Sequence, residues 1–295
     1  MVCSRIEGPD FICIGMPKAG TGWLFDQLQY HPDFWMPPIK ELHYLDRRYP
    51  KLKVAARQLR RSSERVAKLD HGRGSRPWLE RDFQFIRELA SSGNGQPMDI
   101  ERYVRLFRYK GEMLSGDISP GYSRLREDVI LQVAAQLPRT KILLLVRDPI
   151  ARVWSSLSMS HRHGKFDRTL LDDSEQFRLF LRTSKLVQQR SYATTIIARW
   201  ARLAPTVQFH AFQFDLLEQK PEKARREILA YLGADPEKKG SGQLPPDHNR
   251  KANSEKLPMS NSIRAVMIEE FGEEVLACAR VLGGAAREWG ERYGL

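Results

Sequence analysis

Phe11-Ile12-Cys13-Ile14-Gly15-Met16-Pro17-Lys18-Ala19-Gly20-Thr21-Gly22-Trp23-Leu24-Phe25 is the stretch that decides the fold. Its first four residues are apolar, two of them β-branched, and Gly15 closes the run, so it reads as a buried strand. Leu24, Phe25 and Leu28 then fall at helical spacing, and Pro32 predicts the helix end near His31, because the residue before proline disfavours the α region. Between strand and helix lies a turn of small residues. Glycines there let the backbone approach a ligand closely, and the free N–H groups and dipole of the helix start favour an anion. Lys18 adds a mobile charge and Thr21 a hydroxyl, so a phosphate group fits; the alternative is an ordinary tight turn with a surface lysine. The nucleotide-triphosphate pattern G-x-x-x-x-G-K-[ST] is not met, since Lys18 precedes Gly20. A G-x-G-x-x-G fingerprint also fails, with glycines at 15, 20 and 22.

Outward from this unit, strands and helices alternate. Met113–Asp117 reads as a strand. Leu125, Val129, Val133 and Leu137 recur every four residues, marking an amphipathic helix. Lys141–Val146 (KILLLV) is an unbroken apolar strand of the kind covered on both faces in a parallel sheet. A helix follows, with Asp148 as N-cap and Pro149 at its first position. Asp99 predicts another N-cap, for a helix through Phe107. Residues 175–202 read as helical, Val207–Phe212 as a strand, 222–232 as a helix, 234–258 as a polar loop, and Ile263, Met267, Phe271 and Val275 as one face of a C-terminal helix. The alternation predicts an α/β fold, a P-loop-like three-layer sandwich with a central, mostly parallel sheet flanked by helices. One domain over residues 1–295 is expected, with a basic helical or loop insertion around 50–110.

The chain has 295 residues, 41% hydrophobic and 28% charged, which supplies a core and excludes wholesale disorder. A formal net charge of +12 points to anionic partners. Arg57, Arg60, Arg61, Arg65, Lys68, Arg73 and Arg76 concentrate that charge, as a solvated helix and loop or as a flap over an anionic substrate. No zinc-finger, RNA-recognition or basic-zipper pattern supports a nucleic-acid role. Cys3, Cys13 and Cys278 form no CxxC pair, so neither a disulfide scaffold nor a cysteine-zinc site is expected, and a reducing cytoplasm is. No apolar run is long enough for a signal-peptide core or a transmembrane helix. His161-Arg162-His163 reads as a solvated helix end rather than a metal pair, and no metal is expected.

A second anion site is expected at Arg147, at the end of the strongest strand, where open parallel sheets bind ligands. Its planar fork suits a phosphate bidentately. Ile150, Val153, Trp154 and Leu157 should form the core face of the following helix, leaving Arg152 and Ser155 on another face, free to meet a ligand.

PKAGTGWL after a strand, then KELHYLD, GDISPGY and LLLVRDPIARVWSS, in this order, resemble the sulfotransferases that use 3′-phosphoadenosine 5′-phosphosulfate (PAPS), most closely the bacterial branch related to the heparan-sulfate sulfotransferases. The resemblance runs from about Phe11 to Trp289. It implies that Lys18, Ala19, Gly20, Thr21, Gly22 and Trp23 hold the 5′-phosphosulfate end, that Arg147 and Ser155 hold the 3′-phosphate, and that Arg250-Lys251 belong to the loop that closes over the donor. It implies Glu41 as the base that activates the acceptor, with His43 the second candidate. Alternation along an extended Glu41–Leu45 would put both on one side; a surface carboxylate paired with Lys40 is the plain alternative for Glu41. Two positions depart from the family pattern. Gly22 replaces a second hydroxyl, and Ile118 replaces a lysine near the acceptor, which suggests a less anionic acceptor.

The implied reaction is sulfuryl transfer from PAPS, as donor substrate, to a hydroxyl, ahead of an amine, of a small metabolite, lipid or glycan. The rival is a P-loop-type nucleoside or sugar kinase, with Asp148 as the magnesium-supporting aspartate. Tyr44, Trp35 and Trp78 could line an apolar acceptor pocket or pack in the core. The sequence does not reveal the acceptor or the oligomeric state.

Overall fold

The computed structural model describes residues 8–46, 79–91, 98–248 and 255–295. The basic 57–76 stretch, Trp78, Cys3, Arg250 and Lys251 lie outside the described residues. Four strands, β1 (Phe11–Gly15), β2 (Gly116–Ile118), β3 (Lys141–Val146) and β4 (Phe209–Gln213), form one sheet in the order β2-β1-β3-β4, every pair parallel. β1 is fully buried, and β3 is buried from Ile142 onward, as strands covered on both faces require.

The helices are α1 (Thr21–Leu28), α2 (Glu80–Ser91), α3 (Ile100–Leu106), α4 (Glu127–Gln136), α5 (Pro149–Arg162), α6 (Ser174–Thr183), α7 (Lys185–Gln188), α8 (Ala193–Leu203), α9 (Phe214–Gln219), α10 (Pro221–Leu232), α11 (Asn261–Leu282) and α12 (Arg287–Glu291). Caps fall where the sequence places them. Asp99 accepts from the N–H groups of Glu101 and Arg102, and Asp148 from those of Ile150 and Ala151.

Several expectations are corrected. α1 ends at Leu28, short of His31, because the His31 ring turns back to accept from the Asp33 N–H (3.2 Å) and to meet the Asp235 carbonyl (3.0 Å). Residues 175–202 are three helices, broken at Ser184, which is extended, and again before Ala193, where the Ser191 hydroxyl donates to the Val187 carbonyl. Of the two places open to Trp35 and Tyr44, the core is the one they take, at 0% and 4% exposed, where they donate to Asp82 and to the Asp99 carbonyl. Cys13 and Cys278 are buried free thiols.

In the order β2-β1-β3-β4 the chain leaves β1 toward one edge and β3 toward the other. The loops after these two neighbours therefore part and open a crevice at the carboxyl ends of the sheet. Residues 15–20 and Arg147 sit there.

Candidate functional site

The Gly15–Gly20 turn is tied to β3 by the Met16 N–H, which donates to the Leu145 carbonyl at 2.7 Å. Gly20, at φ 97°, is the N-cap of α1 and gives it no side-chain acceptor. The first-turn N–H groups of α1 thus keep their capacity for an outside anion. Ala19 is buried and its N–H donates to the Met16 carbonyl, so it shapes the turn. The Trp23 indole donates to the Pro246 carbonyl at 2.6 Å, which leaves its backbone N–H as the group available to a ligand. Lys18 Nζ runs along α5 to within 3.8 Å of Met159 Sδ.

Arg147 closes the crevice from the other strand. Its Nη1 donates to the Lys18 carbonyl at 3.2 Å, and its guanidinium lies 4.3 Å over the Phe214 ring. Burial pulls its pKa below the usual guanidinium range, opposed by Glu218, Asp148 and Asp215. The two expected anion-binding elements therefore meet. Ser155 is partly exposed on α5, but Arg152, expected to be free for a ligand, is 2% exposed and bonded to Ser191: the inward stripe of α5 is wider than its apolar residues alone. Past the undescribed loop holding Arg250 and Lys251, Leu257 is stitched to α5. Its carbonyl accepts from the Trp154 indole and its N–H donates to Ser158 Oγ.

Glu41 and His43 do come together, by a different route from the one expected. The segment is no strand: Glu41 and His43 have φ of 61° and 53°. Lys18, at 70°, is the remaining non-glycine residue with positive φ among those described. All three candidate catalytic residues thus hold a backbone conformation that costs energy outside glycine, and such strain collects at functional sites. His43 Nε2 lies 3.4 Å from Glu41 Oε2, and its Nδ1 lies 2.9 and 3.0 Å from the two Asp46 oxygens. A carboxylate only accepts, so Nδ1 directs a hydrogen at Asp46, while Nε2 meets a second carboxylate in Glu41. The Glu41 side chain is 36% exposed and His43 only 10%, so Glu41 is the outer group. Lys40 pairs with Glu41 at 3.9 Å, and its Nζ lies 3.6 Å from where a Cβ on Gly22 would sit. That brings a second ammonium to the first turn of α1, where the hydroxyl is missing.

GDISPGY supplies the frame beneath this loop. Tyr122 Oη accepts from the N–H groups of Tyr44 (2.9 Å) and Leu45 (3.2 Å) and donates to Asp117 (2.6 Å). Ser119 Oγ accepts from the His43 N–H and donates to Asp117, and Tyr103 donates to the same carboxylate. Burial pushes the Asp117 carboxyl up, against these three donors and nearby His43. Asp46, Asp117, Ser119, Tyr122, Tyr103 and Lys40 were not among the expected site residues. The signal for Asp46 was present, as a carboxylate three residues after His43; the Asp117 network joins segments far apart in sequence.

Ile118 is 2% exposed, so its side chain faces the core. Asp148 is committed: Oδ1 caps α5 and Oδ2 accepts from the Tyr293 hydroxyl at 2.7 Å. That occupation disfavours a magnesium-supporting role. His161 bonds the Phe166 carbonyl while His163 is exposed, and no group of three metal-ligating side chains occurs among the described residues. No helix there is long and apolar enough to cross a membrane. A cleft of about 630 Å³ is lined by Lys220, Lys223, Pro245 and Pro246, and the Pro246 carbonyl is the one that accepts from the Trp23 indole.

The sulfotransferase family model matches residues 9–238, the span that holds both anion-binding elements and the Glu41 loop. No curated protein matches the chain. Among solved structures, a sulfotransferase from Alicyclobacillus acidocaldarius shares the fold at a TM-score of 0.62 and 18% identity, over 95% of this chain and 98% of that one. The sulfotransferase domain of the Synechococcus PCC 7002 olefin synthase is 18% identical over 99% and 97%, at a TM-score of 0.46. The family match over residues 9–238, most of the sequence, places this chain in the sulfotransferase family.

Proposed function

We propose that the chain transfers a sulfuryl group from PAPS to an acceptor hydroxyl, with Glu41 as the base. One observation carries this reading: the Arg147 guanidinium reaches the carbonyl of Lys18 at 3.2 Å, so a cradle for a phosphosulfate and a clamp for a separate phosphate share one crevice. Lys18 and the first-turn N–H groups of α1, with Lys40 beside Gly22, hold the 5′ end; Arg147 and Ser155 hold the 3′-phosphate. The Arg250-Lys251 loop is assigned to the same donor by resemblance alone.

In the transfer, the acceptor oxygen forms a bond to sulfur as the bond from sulfur to the 5′-phosphate oxygen breaks. The acceptor proton goes to Glu41, and adenosine 3′,5′-bisphosphate leaves with the electron pair. Asp46 orients the His43 ring through Nδ1, and Nε2 stands behind Glu41, where it accepts from the Glu41 carboxyl once that group holds the acceptor proton. Lys18 and the fixed N–H groups offset charge on the leaving phosphate, and such preorganised donors contribute about 10²–10³-fold. A positioned base adds about 10²–10⁴-fold. The acceptor class, a small metabolite, lipid or glycan, rests on the resemblance alone, because Ile118 faces the core.

Calorimetry tests the donor. The protein should bind adenosine 3′,5′-bisphosphate without metal and prefer it to magnesium-ATP; the opposite preference favours the kinase. Labelled PAPS, incubated with hydroxyl- and amine-bearing acceptors, then reports which becomes sulfated.

A further inference from the structure

Arg152 is a buried cation with no carboxylate against it among the described residues. It lies on α5 between Arg147 and Ser155 in sequence and is 2% exposed. Its Nη2 donates to Ser191 Oγ at 2.7 Å, and its Nε has no partner. The Ser191 hydroxyl is itself spent on the Val187 carbonyl, so among the described residues a neutral oxygen is all that Arg152 bonds. The charged groups that bear on it among the described residues are Arg190 and Arg147. Burial first, and then repulsion from both, bring its pKa down to about 9. A buried charge in this situation destabilises the fold, and an apolar side chain of similar length would pack there at less cost. Stability does not explain its presence, which leaves an anion that arrives with a ligand.

We infer that Arg152 is a positioning residue for the 3′-phosphate: it adds fixed positive potential under Arg147 and Ser155 and so selects nucleotides that carry a phosphate on the 3′ oxygen. The inference rests on the donor reading above. A phosphomonoester brings a charge of about −1.5 to −2, which offsets the mutual repulsion of the arginines; a 3′-hydroxyl brings none. Arg152 thus acts through the field and through the Ser191 bond that anchors the segment carrying Arg190.

Binding of adenosine 3′,5′-bisphosphate and of AMP is measured by calorimetry on the full chain, wild type and Arg152→Met, together with the melting temperature of each free protein. Wild type should prefer the bisphosphate. Arg152→Met should lose about tenfold or more in bisphosphate affinity, keep AMP affinity within about twofold, and melt no lower than wild type. Arg152→Lys should retain most of the preference. A role confined to packing predicts the reverse, a lower melting temperature with the affinity ratio unchanged, and that result overturns the inference. So does an equal loss of both nucleotides. If Arg152→Met does not fold, the claim that the charge destabilises the free protein is wrong, and the ratio in Arg152→Gln decides the selectivity. A wild type that binds the two nucleotides equally overturns the donor reading itself; a wild-type preference that survives in the variants overturns only the role of Arg152.

Discussion

Replacing Tyr122 by Phe should loosen the Glu41–Asp46 loop while sparing the crevice at Lys18 and Arg147. Tyr122 is 0% exposed, and its hydroxyl satisfies three groups at once: the N–H of Tyr44, the N–H of Leu45 and the Asp117 carboxylate. Phe keeps the ring and its edge-on contact with His43, whose centroid is 6.5 Å away. The lost stability is therefore that of the oxygen alone. A buried donor left unsatisfied costs about 1–3 kcal/mol, and a hydrogen bond to a charged group contributes about 1.5–3 kcal/mol. The lower ends apply where a loop can relax, which gives about 3–4 kcal/mol in total. Against a typical stability of about 5–15 kcal/mol the variant still folds. With a urea slope near about 3 kcal/mol/M, the midpoint should fall by about 1 M at unchanged slope. Native-state hydrogen exchange should show the Tyr44 and Leu45 amides losing protection, while β1 and β3 amides follow the global change. Affinity for adenosine 3′,5′-bisphosphate should stay within about twofold, because Tyr122 touches neither Lys18 nor Arg147. A midpoint shift under about 0.3 M with both amides still protected refutes the idea that this hydroxyl pins the Glu41–Asp46 loop.

Lys18→Ala should cut turnover with PAPS by about 10²-fold or more with little change in melting temperature; near-normal turnover removes the lysine from the mechanism. Gly121→Ala should put a methyl 2.4 Å from Asp46 Oδ2 and 2.8 Å from His43 Cε1. Prising that pair apart should cost about 1–3 kcal/mol and lower kcat more than donor affinity, measured by urea melts and steady-state rates. His31 is buried, and burial lowers its pKa from 6.5. Its Nδ1 accepts from the Asp33 N–H and its Nε2–H donates to the Asp235 carbonyl, so the neutral ring satisfies both and protonation sets one N–H against another. The unfolded chain binds the extra proton first, and stability should fall as the pH drops below 6.5. Melting curves between pH 7 and 5 check this, and His31→Asn, which keeps an acceptor near Asp33, should show a shallower slope.

Much of the scaffold is legible along the chain because its signals are local. KILLLV is a strand by apolarity alone, and Asp148-Pro149 starts a helix by capping geometry. Lys18 and Arg147 could be named because each sits in its own short motif. The Glu41–Asp46 loop was harder. Its motif could be quoted, but the extended alternation assigned to it was wrong. Left-handed His43 bonds Ser119, 76 positions away in the chain, and the next two residues bond Tyr122, 78 and 77 positions away.

The sequence by itself determined an α/β chain with a glycine turn after one strand and an arginine at the end of another, since apolar runs, glycines and caps act within a few residues. Tertiary structure alone decided that Arg147 meets Lys18, that Asp46 orients His43, and that Arg152 is buried without a counter-charge among the described residues. Burial and pairing of charge depend on what the rest of the fold brings alongside, and one-dimensional spacing carries no record of that.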